Sequence, residues 1–118
     1  MKNLTQKTCV ACEGGTTPLQ GRELRGHLEE VEDWELVGSE EGSPVGGKIK
    51  KKFEFKNFKE ALAFVNKVGE IAENEQHHPD IHLVSYKNVV IELWTHAIGG
   101  LSENDFIVAA KINSIWSS

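Results

Sequence analysis

The chain contains 118 residues, which suffices for one domain with a single hydrophobic core but not for two. Hydrophobic residues make up 39% of it and charged residues 26%, the balance of an ordinary globular protein. The formal net charge of −5 argues against a nucleic-acid-binding groove, because such surfaces gather lysine and arginine against phosphates. The one basic run, residues 48–52, has a strand-like pattern, and we expect it to form a solvated face.

Membrane and export signals are not evident in the sequence. No stretch approaches the ~20 apolar residues that a helix needs to cross a bilayer. The first residues, Met1 to Gln6, lack the apolar segment of a secretory signal. We therefore expect a cytoplasmic protein with no direct nucleic-acid or membrane partner.

Residues 1–16 are polar and end near glycines, which predicts an N-terminal tail before a single domain over residues 17–118. The tail carries both cysteines of the chain, Cys9 and Cys12, in a Cys-x-x-Cys arrangement. A structural zinc site requires four protein ligands, and these thiols supply only two. The motif also does not follow a predicted strand. We expect a reduced pair with a minor structural role.

The first half of the domain predicts one helix and then two strands. Thr17 and Pro18 have the character of an N-cap and a first helical residue, and apolar residues then recur on one helical face. Residues 34–37 predict a short strand, and the glycine-rich segment 38–47 predicts a loop. The next strand alternates with a period of two, and its core-facing residues are predicted to be Ile49, Lys51, Phe53 and Phe55.

A second helix is predicted to begin after Asn57, because Glu60 three residues later completes a capping box. Its apolar residues recur at helical spacing to about Gln76. Pro79 is expected to end it, since the residue before a proline avoids helical geometry. Gly69 is a poor helix former in the interior of this helix, and we interpret it as a close packing contact.

Two strands, residues 81–86 and 89–96, follow and are predicted to be joined by a tight turn at Lys87–Asn88. Ser102 then caps a last helix, whose inward residues are predicted to be Phe106, Ala109, Ala110 and Trp116. The element order is α-β-β-α-β-β-α. Strands that arrive in hairpins pair antiparallel, and amphipathic helices bury one face against them. The sequence therefore predicts an α+β fold, a two-layer sandwich of a four-stranded antiparallel sheet with three helices on one face.

Three of the five histidines, His77, His78 and His96, lie in a stretch bounded by Glu73 and Asp105. Each is beside a predicted change of secondary structure, where a side chain can reach a cleft. Histidine has an unperturbed pKa of about 6.5, so it both donates and accepts protons near neutral pH. A cleft that gathers several histidines suits proton-transfer chemistry.

The spacing of this stretch resembles the pattern of the pterin-4a-carbinolamine dehydratase family. That pattern is a polar residue, three positions, His-His-Pro, an aromatic residue, nine positions, a histidine and a later aspartate, and the chain meets every part of it. The matching residues are Glu73, His77, His78, Pro79, Tyr86, His96 and Asp105. The resemblance covers most of the chain beyond its first dozen residues, and it includes Trp34, Phe53–Phe55, Phe58–Leu62 and Thr95.

The resemblance implies a dehydratase that converts a 4a-hydroxytetrahydropterin to quinonoid dihydropterin and water, and so recycles the pterin cofactor of aromatic amino-acid hydroxylases. It implies no metal, redox cofactor or covalent nucleophile, and it implies a homodimer or homotetramer. It also implies that His78 contacts the ring as a base, while His77 and His96 flank the departing hydroxyl as acids. Substrate-binding or orienting roles are implied for Glu73, Pro79, Thr95 and Asp105.

The sequence by itself is also compatible with two other functions. A metal site would use His77, His78 and His96 with Glu73, although adjacent histidines rarely converge on one ion. A non-catalytic interaction protein is the other, since animal relatives serve as dimerisation cofactors of a homeodomain transcription factor. Retention of all three histidines favours catalysis. Taken singly, each histidine is also compatible with a helix-terminal or core role.

Overall fold

The computed structural model describes residues 4–6, 19, 21–37, 47–95 and 100–116. Its elements are α1 (Gly21–Glu30), β1 (Glu35–Val37), β2 (Lys48–Glu54), α2 (Phe58–Glu75), β3 (Asp80–Val84), β4 (Asn88–Leu93) and α3 (Glu103–Ile115). The strands pair antiparallel in the order β1-β2-β4-β3. The predicted α+β class and the α-β-β-α-β-β-α order are confirmed. The predicted N-cap Thr17, most of the loop 38–47 and both cysteines lie outside the described residues.

One face of the sheet forms the hydrophobic core. Alternate residues of the central strands β2 and β4 are fully buried there, as the period of two requires: Ile49, Phe53, Val89, Ile91 and Leu93. All three helices add side chains to the same cluster, among them Leu28, Phe64, Val68, Phe106 and Ile112. The helices therefore cover one face of the sheet, and the other face is left to solvent.

Helix α3 is buried around most of its circumference, which goes beyond the single inward stripe that was predicted. Phe106, Ala109 and Ala110 are buried as expected, but Ile107 and Val108 are buried as well. A helix that is apolar on all sides is a central helix rather than a surface one. Leu4, in a 3₁₀ turn over Leu4–Gln6 that contacts α3, is also part of the core.

Lys51 points into the core face, as the strand alternation predicts, and its ammonium group is hydrogen-bonded there. Its Nζ donates to the backbone oxygen of Glu32 at 3.1 Å and to Asn113 Oδ1 at 3.0 Å. The same Asn113 oxygen accepts from Trp34 Nε1 at 2.9 Å. Burial lowers the pKa of Lys51 from its usual value. These bonds tie β2 to the C-terminal turn of α3.

The uncovered sheet face is charged, and acidic residues neutralise its lysine row. Lys50 lies in register between Glu35 of β1 and Glu92 of β4. Glu92 accepts a hydrogen bond from Lys48 Nζ at 2.6 Å, which is the main cause of its lowered pKa, and it lies 2.6 Å from His82 Nε2. This arrangement is that of a solvated face rather than a phosphate-binding one.

The turn between β3 and β4 differs from the prediction. Residues Ser85–Lys87 form it, so that Val84 pairs with Asn88, rather than Lys87 and Asn88 forming the turn. Ser85 and Tyr86 have φ values of 50° and 55°. Glycine and asparagine are the residues that most readily adopt the left-handed region. The asparagine at position 88 therefore led to the prediction of a turn at Lys87–Asn88, whereas Asn88 is the first residue of β4.

No helix in the described ranges is long and apolar enough to span a bilayer. The longest, α2, has 18 residues and begins at the predicted cap, where Asn57 Oδ1 accepts from the backbone N–H of Glu60 at 2.9 Å. Charged residues, among them Lys59, Glu60, Lys67 and Glu70, are interspersed along it.

Gly69 in α2 is not explained by close packing, which corrects the prediction, because an added β-carbon would meet no atom of the described residues within 4 Å. We therefore expect Gly69→Ala to raise the free energy of unfolding by about 1 kcal/mol, the difference in helix propensity. Gly26→Ala in α1 is a matched control, since a β-carbon there also meets nothing within 4 Å. Urea denaturation of both variants measures the effect. Stabilisation by Gly26→Ala but not by Gly69→Ala would contradict the expectation.

Candidate active site

The C-terminal end of α2 fixes the position of the adjacent histidines. Gln76 has φ 54°, and its backbone N–H bonds to the carbonyl of Glu73, while the N–H of His77 bonds to the carbonyl of Ala72 at 3.1 Å. This is the Schellman arrangement that commonly closes a helix. The helix therefore ends at Glu75, within one residue of the predicted end near Gln76, and the backbone of His77 is held by the last turn.

A glutamine in this left-handed position is unusual, because glycine is the common residue there. The side chain of Gln76 compensates in part, since its Nε2 donates to the carbonyl of Glu73 at 2.7 Å. A left-handed residue that is not glycine costs about 1–2 kcal/mol. Backbone strain of this kind is often found where a functional side chain must be held in place.

His77 is directed at the first turn of α3. Its Nε2 lies 2.6 Å from Asp105 Oδ1, and the two side chains are 12% and 0% exposed. A carboxylate accepts hydrogen bonds but donates none, so the Nε2 atom carries the hydrogen. The carboxylate of Asp105 then leaves the other ring nitrogen, Nδ1, without a bond to it. The histidine and the aspartate form an imidazole–carboxylate pair.

The second oxygen of Asp105 is held from two sides. Oδ2 accepts from Thr95 Oγ1 at 2.8 Å and from the backbone N–H of Ser102 at 3.0 Å. The hydroxyls of Thr95 and Ser102 also lie 2.8 Å apart. Burial of a carboxylate without such partners would be strongly unfavourable. The network therefore allows a fully buried charge and fixes the direction of its free oxygen toward His77.

His78 has different surroundings from its neighbour. Its side chain is 59% exposed, and its Nε2 lies 3.5 Å from Glu73 Oε1. It lines a surface groove beside α2 together with Asn66, Gly69, Glu70, Glu73, Asn74, Pro79 and Ile81. The two adjacent imidazoles therefore reach different places, as expected for side chains with different tasks.

The remaining predicted site residues lie as follows. His96 is outside the described residues. Thr95, immediately before it, is 4% exposed, and its backbone N–H donates to the carbonyl of Gly100 at 2.7 Å. Its hydroxyl contacts Asp105 inside the protein. Pro79 borders the groove of His78, and Asp105 is buried beside His77. The structure thus brings His77, Asp105 and Thr95 into one network.

Ser102 also belongs to this network, although the sequence pattern predicted only a helix-capping role for it. The Ser-x-x-Asp spacing from Ser102 to Asp105 is that of a capping box, and this pattern was the available signal. A capping box predicts that the Asp105 carboxylate accepts a hydrogen bond from the backbone N–H of Ser102, as it does here. Among the described residues, no group of three or more histidine, cysteine, aspartate or glutamate side chains could hold a metal ion.

We expect Thr95→Val to lower the free energy of unfolding by about 1–3 kcal/mol, because it removes a hydrogen-bond donor from the buried carboxylate of Asp105. Thr95→Ser is the matched control, because it keeps the hydroxyl and loses only a methyl group. Chemical denaturation compares the two. An equal loss of stability in both variants would show that the hydroxyl contributes nothing.

Comparison with known proteins identifies the family of the chain. The model of the family described as pterin 4 alpha carbinolamine dehydratase matches residues 17–115. A relative in Rubrobacter xylanophilus is 42% identical over 115 residues, 98% of this chain and 100% of its own. The mitochondrial pterin-4-alpha-carbinolamine dehydratase 2 of Arabidopsis thaliana is 42% identical over 98% of this chain and 60% of its own length.

A solved structure of high similarity is the transcriptional coactivator/pterin dehydratase from Brucella melitensis. It superposes with a TM-score of 0.72 at 31% identity, over 83% of this chain and 97% of that one. The family match, the relatives and the shared fold agree with the spacing of the histidines and of Asp105. The chain therefore belongs to the pterin-4-alpha-carbinolamine dehydratase family.

Proposed function

We propose that the protein dehydrates a 4a-hydroxytetrahydropterin to the quinonoid dihydropterin and so recycles the pterin cofactor of aromatic amino-acid hydroxylases. The observation that carries the proposal is the pair of His77 and the fully buried Asp105, with 2.6 Å between Nε2 and Oδ1. A buried carboxylate that orients an imidazole is a common arrangement in proton-transfer sites. Family membership supplies the pterin as the substrate class.

The reaction requires two proton transfers and no redox change. The bond from ring carbon C4a to its hydroxyl oxygen breaks, and the oxygen takes a proton from an acid and leaves as water. The lone pair of the adjacent ring nitrogen forms the new C=N bond, and that nitrogen loses its proton to a base. Hydroxide is a poor leaving group, so a placed acid and a placed base each contribute about 10²–10⁴-fold.

The histidines supply both groups in this proposal. His77, protonated on both ring nitrogens, gives the departing hydroxyl its one proton from Nδ1, because its Nε2 is bonded to Asp105. His96 flanks the same hydroxyl as the alternative acid, so that one of the two histidines donates the proton and the other hydrogen-bonds the oxygen. His78, in its exposed groove, takes the proton from the ring nitrogen, and Glu73 Oε1 lies 3.5 Å from its Nε2. Polar and van der Waals contacts to the ring are assigned to Glu73, Pro79 and the Thr95 segment.

We also propose a cytoplasmic homodimer or homotetramer. The edge strands β1 and β3 of the described sheet flank its two central strands, and an edge presents backbone groups that a second copy of the chain can pair with. Assembly of this kind would leave the candidate site on each chain.

A transcriptional or other interaction role is the second candidate. The Brucella melitensis protein is described as both a transcriptional coactivator and a pterin dehydratase, and the two functions need not exclude each other. The His77–Asp105 pair favours the dehydratase, because a surface that only binds a partner does not require a buried, oriented imidazole.

We expect His78→Ala and His96→Ala each to lower dehydratase turnover at least tenfold while the fold persists, because each removes a proton donor or acceptor. Turnover is measured with a chemically or enzymatically generated 4a-hydroxytetrahydropterin, and the fold by circular dichroism. His82→Ala is the control, since His82 is a half-exposed histidine on the uncovered sheet face. Unchanged turnover in both site variants would refute the proposed roles.

A further inference from the structure

We infer that the ion pair between Glu75 and Lys111 positions His77 for the reaction. This inference deepens the proposed function and rests on the role of His77 in it. Glu75 is the last residue of α2, and Lys111 lies in α3. Neither residue belongs to the histidine pattern, and neither reaches the groove of His78.

The pair is short and mostly removed from water. Lys111 Nζ lies 2.6 Å from Glu75 Oε2, and the two side chains are 20% and 9% exposed. A charge-assisted hydrogen bond of this length is among the stronger polar contacts in proteins. Loss of one partner would leave the other charge in a poorly solvated place, which is unfavourable. The geometry of the pair is therefore well defined.

Its location makes it a second connection between the same two helices. His77 follows Glu75 with only Gln76 between them, and its side chain meets Asp105 of α3. Asp105 and Lys111 are six residues apart, which places their backbones roughly 9 Å apart along the helix axis at 1.5 Å per residue. Apolar packing holds the body of α2 in the core, but the His77–Asp105 contact alone would hold its C-terminal end to α3 by side-chain polar groups at only one point. Two contacts at separate points fix the orientation of the end of α2 as well as its distance from α3.

The chain between the two contacts is short and constrained. The left-handed turn at Gln76 and the bond from the His77 N–H to the Ala72 carbonyl leave little freedom in the backbone. A movement of the Glu75 end of the helix is therefore transmitted to His77. Misplacement of a catalytic group by about 1 Å can lower a rate 10²-fold, so a contact at this place affects chemistry and not only stability.

An apolar pair would pack these positions at least as stably, because buried ion pairs are often no more stabilising than hydrophobic residues of similar volume. An ion pair additionally fixes how the two helices are oriented, since its charged groups must meet at one distance and in one orientation. This distinction separates a positioning role from a purely structural one, and it can be tested.

The test uses Glu75→Gln and Lys111→Met in the full-length chain, which remove one charge each with little change of length. The first readout is the pair of ring ¹⁵N chemical shifts of His77, which report its tautomer and its bond to Asp105. Asp105→Asn provides the shifts of a broken bond. The second readout is dehydratase kcat. Urea denaturation reports stability.

Glu92→Gln is the matched control. The ion pair of Glu92 with Lys48 is also 2.6 Å long and partly buried, but it lies on the uncovered sheet face, away from α2 and α3. We expect it to change stability while leaving the shifts of His77 in place.

In the folded Glu75→Gln and Lys111→Met variants, we expect the His77 shifts to move more than halfway toward those of Asp105→Asn and kcat to fall at least fivefold. Wild-type shifts in either folded variant would overturn the inference, and so would an equal movement in Glu92→Gln. The shifts do not depend on turnover. A wild-type protein without dehydratase activity would therefore refute the proposed function and leave the ¹⁵N result to decide the positioning role.

Discussion

The buried carboxylate of Asp105 is the constraint on which the rest of the site depends. An ionised group with 0% exposure is tolerated only where donors surround it. Thr95 at the end of β4, the first turn of α3 and His77 beyond α2 supply those donors. One side chain therefore joins three segments of the chain. The stability of the fold and the orientation of a reactive imidazole rest on the same set of hydrogen bonds.

Much of this architecture could be predicted from the sequence, because local rules act strongly at particular residues. Asn57 and Ser102 begin helices as their capping patterns indicate. Lys51 faces the core because a strand alternates with a period of two, and its acceptors there are the Glu32 carbonyl and Asn113 Oδ1. The element order followed from these signals and from hydrophobic periodicity.

Other features could not be predicted, because they depend on contacts between distant segments. Gln76 and Ser85 adopt left-handed backbone conformations without glycine, so no local signal marked the left-handed closure of α2 or the exact position of the hairpin turn. The contact between Thr95 and Asp105 requires the end of β4 to meet the start of α3. Sequence spacing grouped these residues as a candidate site, but only the fold shows that Asp105 contacts His77 and that Glu73 lies near His78. The tail boundary at residue 16 stays a prediction.

The most direct test of the account is a crystal structure of the protein with a stable pterin analogue bound. The account predicts that the ring occupies one pocket in which His77 Nδ1 and His78 lie within hydrogen-bonding distance of it, with His96 beside the C4a position and Asp105 still bonded to His77 Nε2. A pterin bound elsewhere, or a ring that contacts none of these imidazoles, would contradict it.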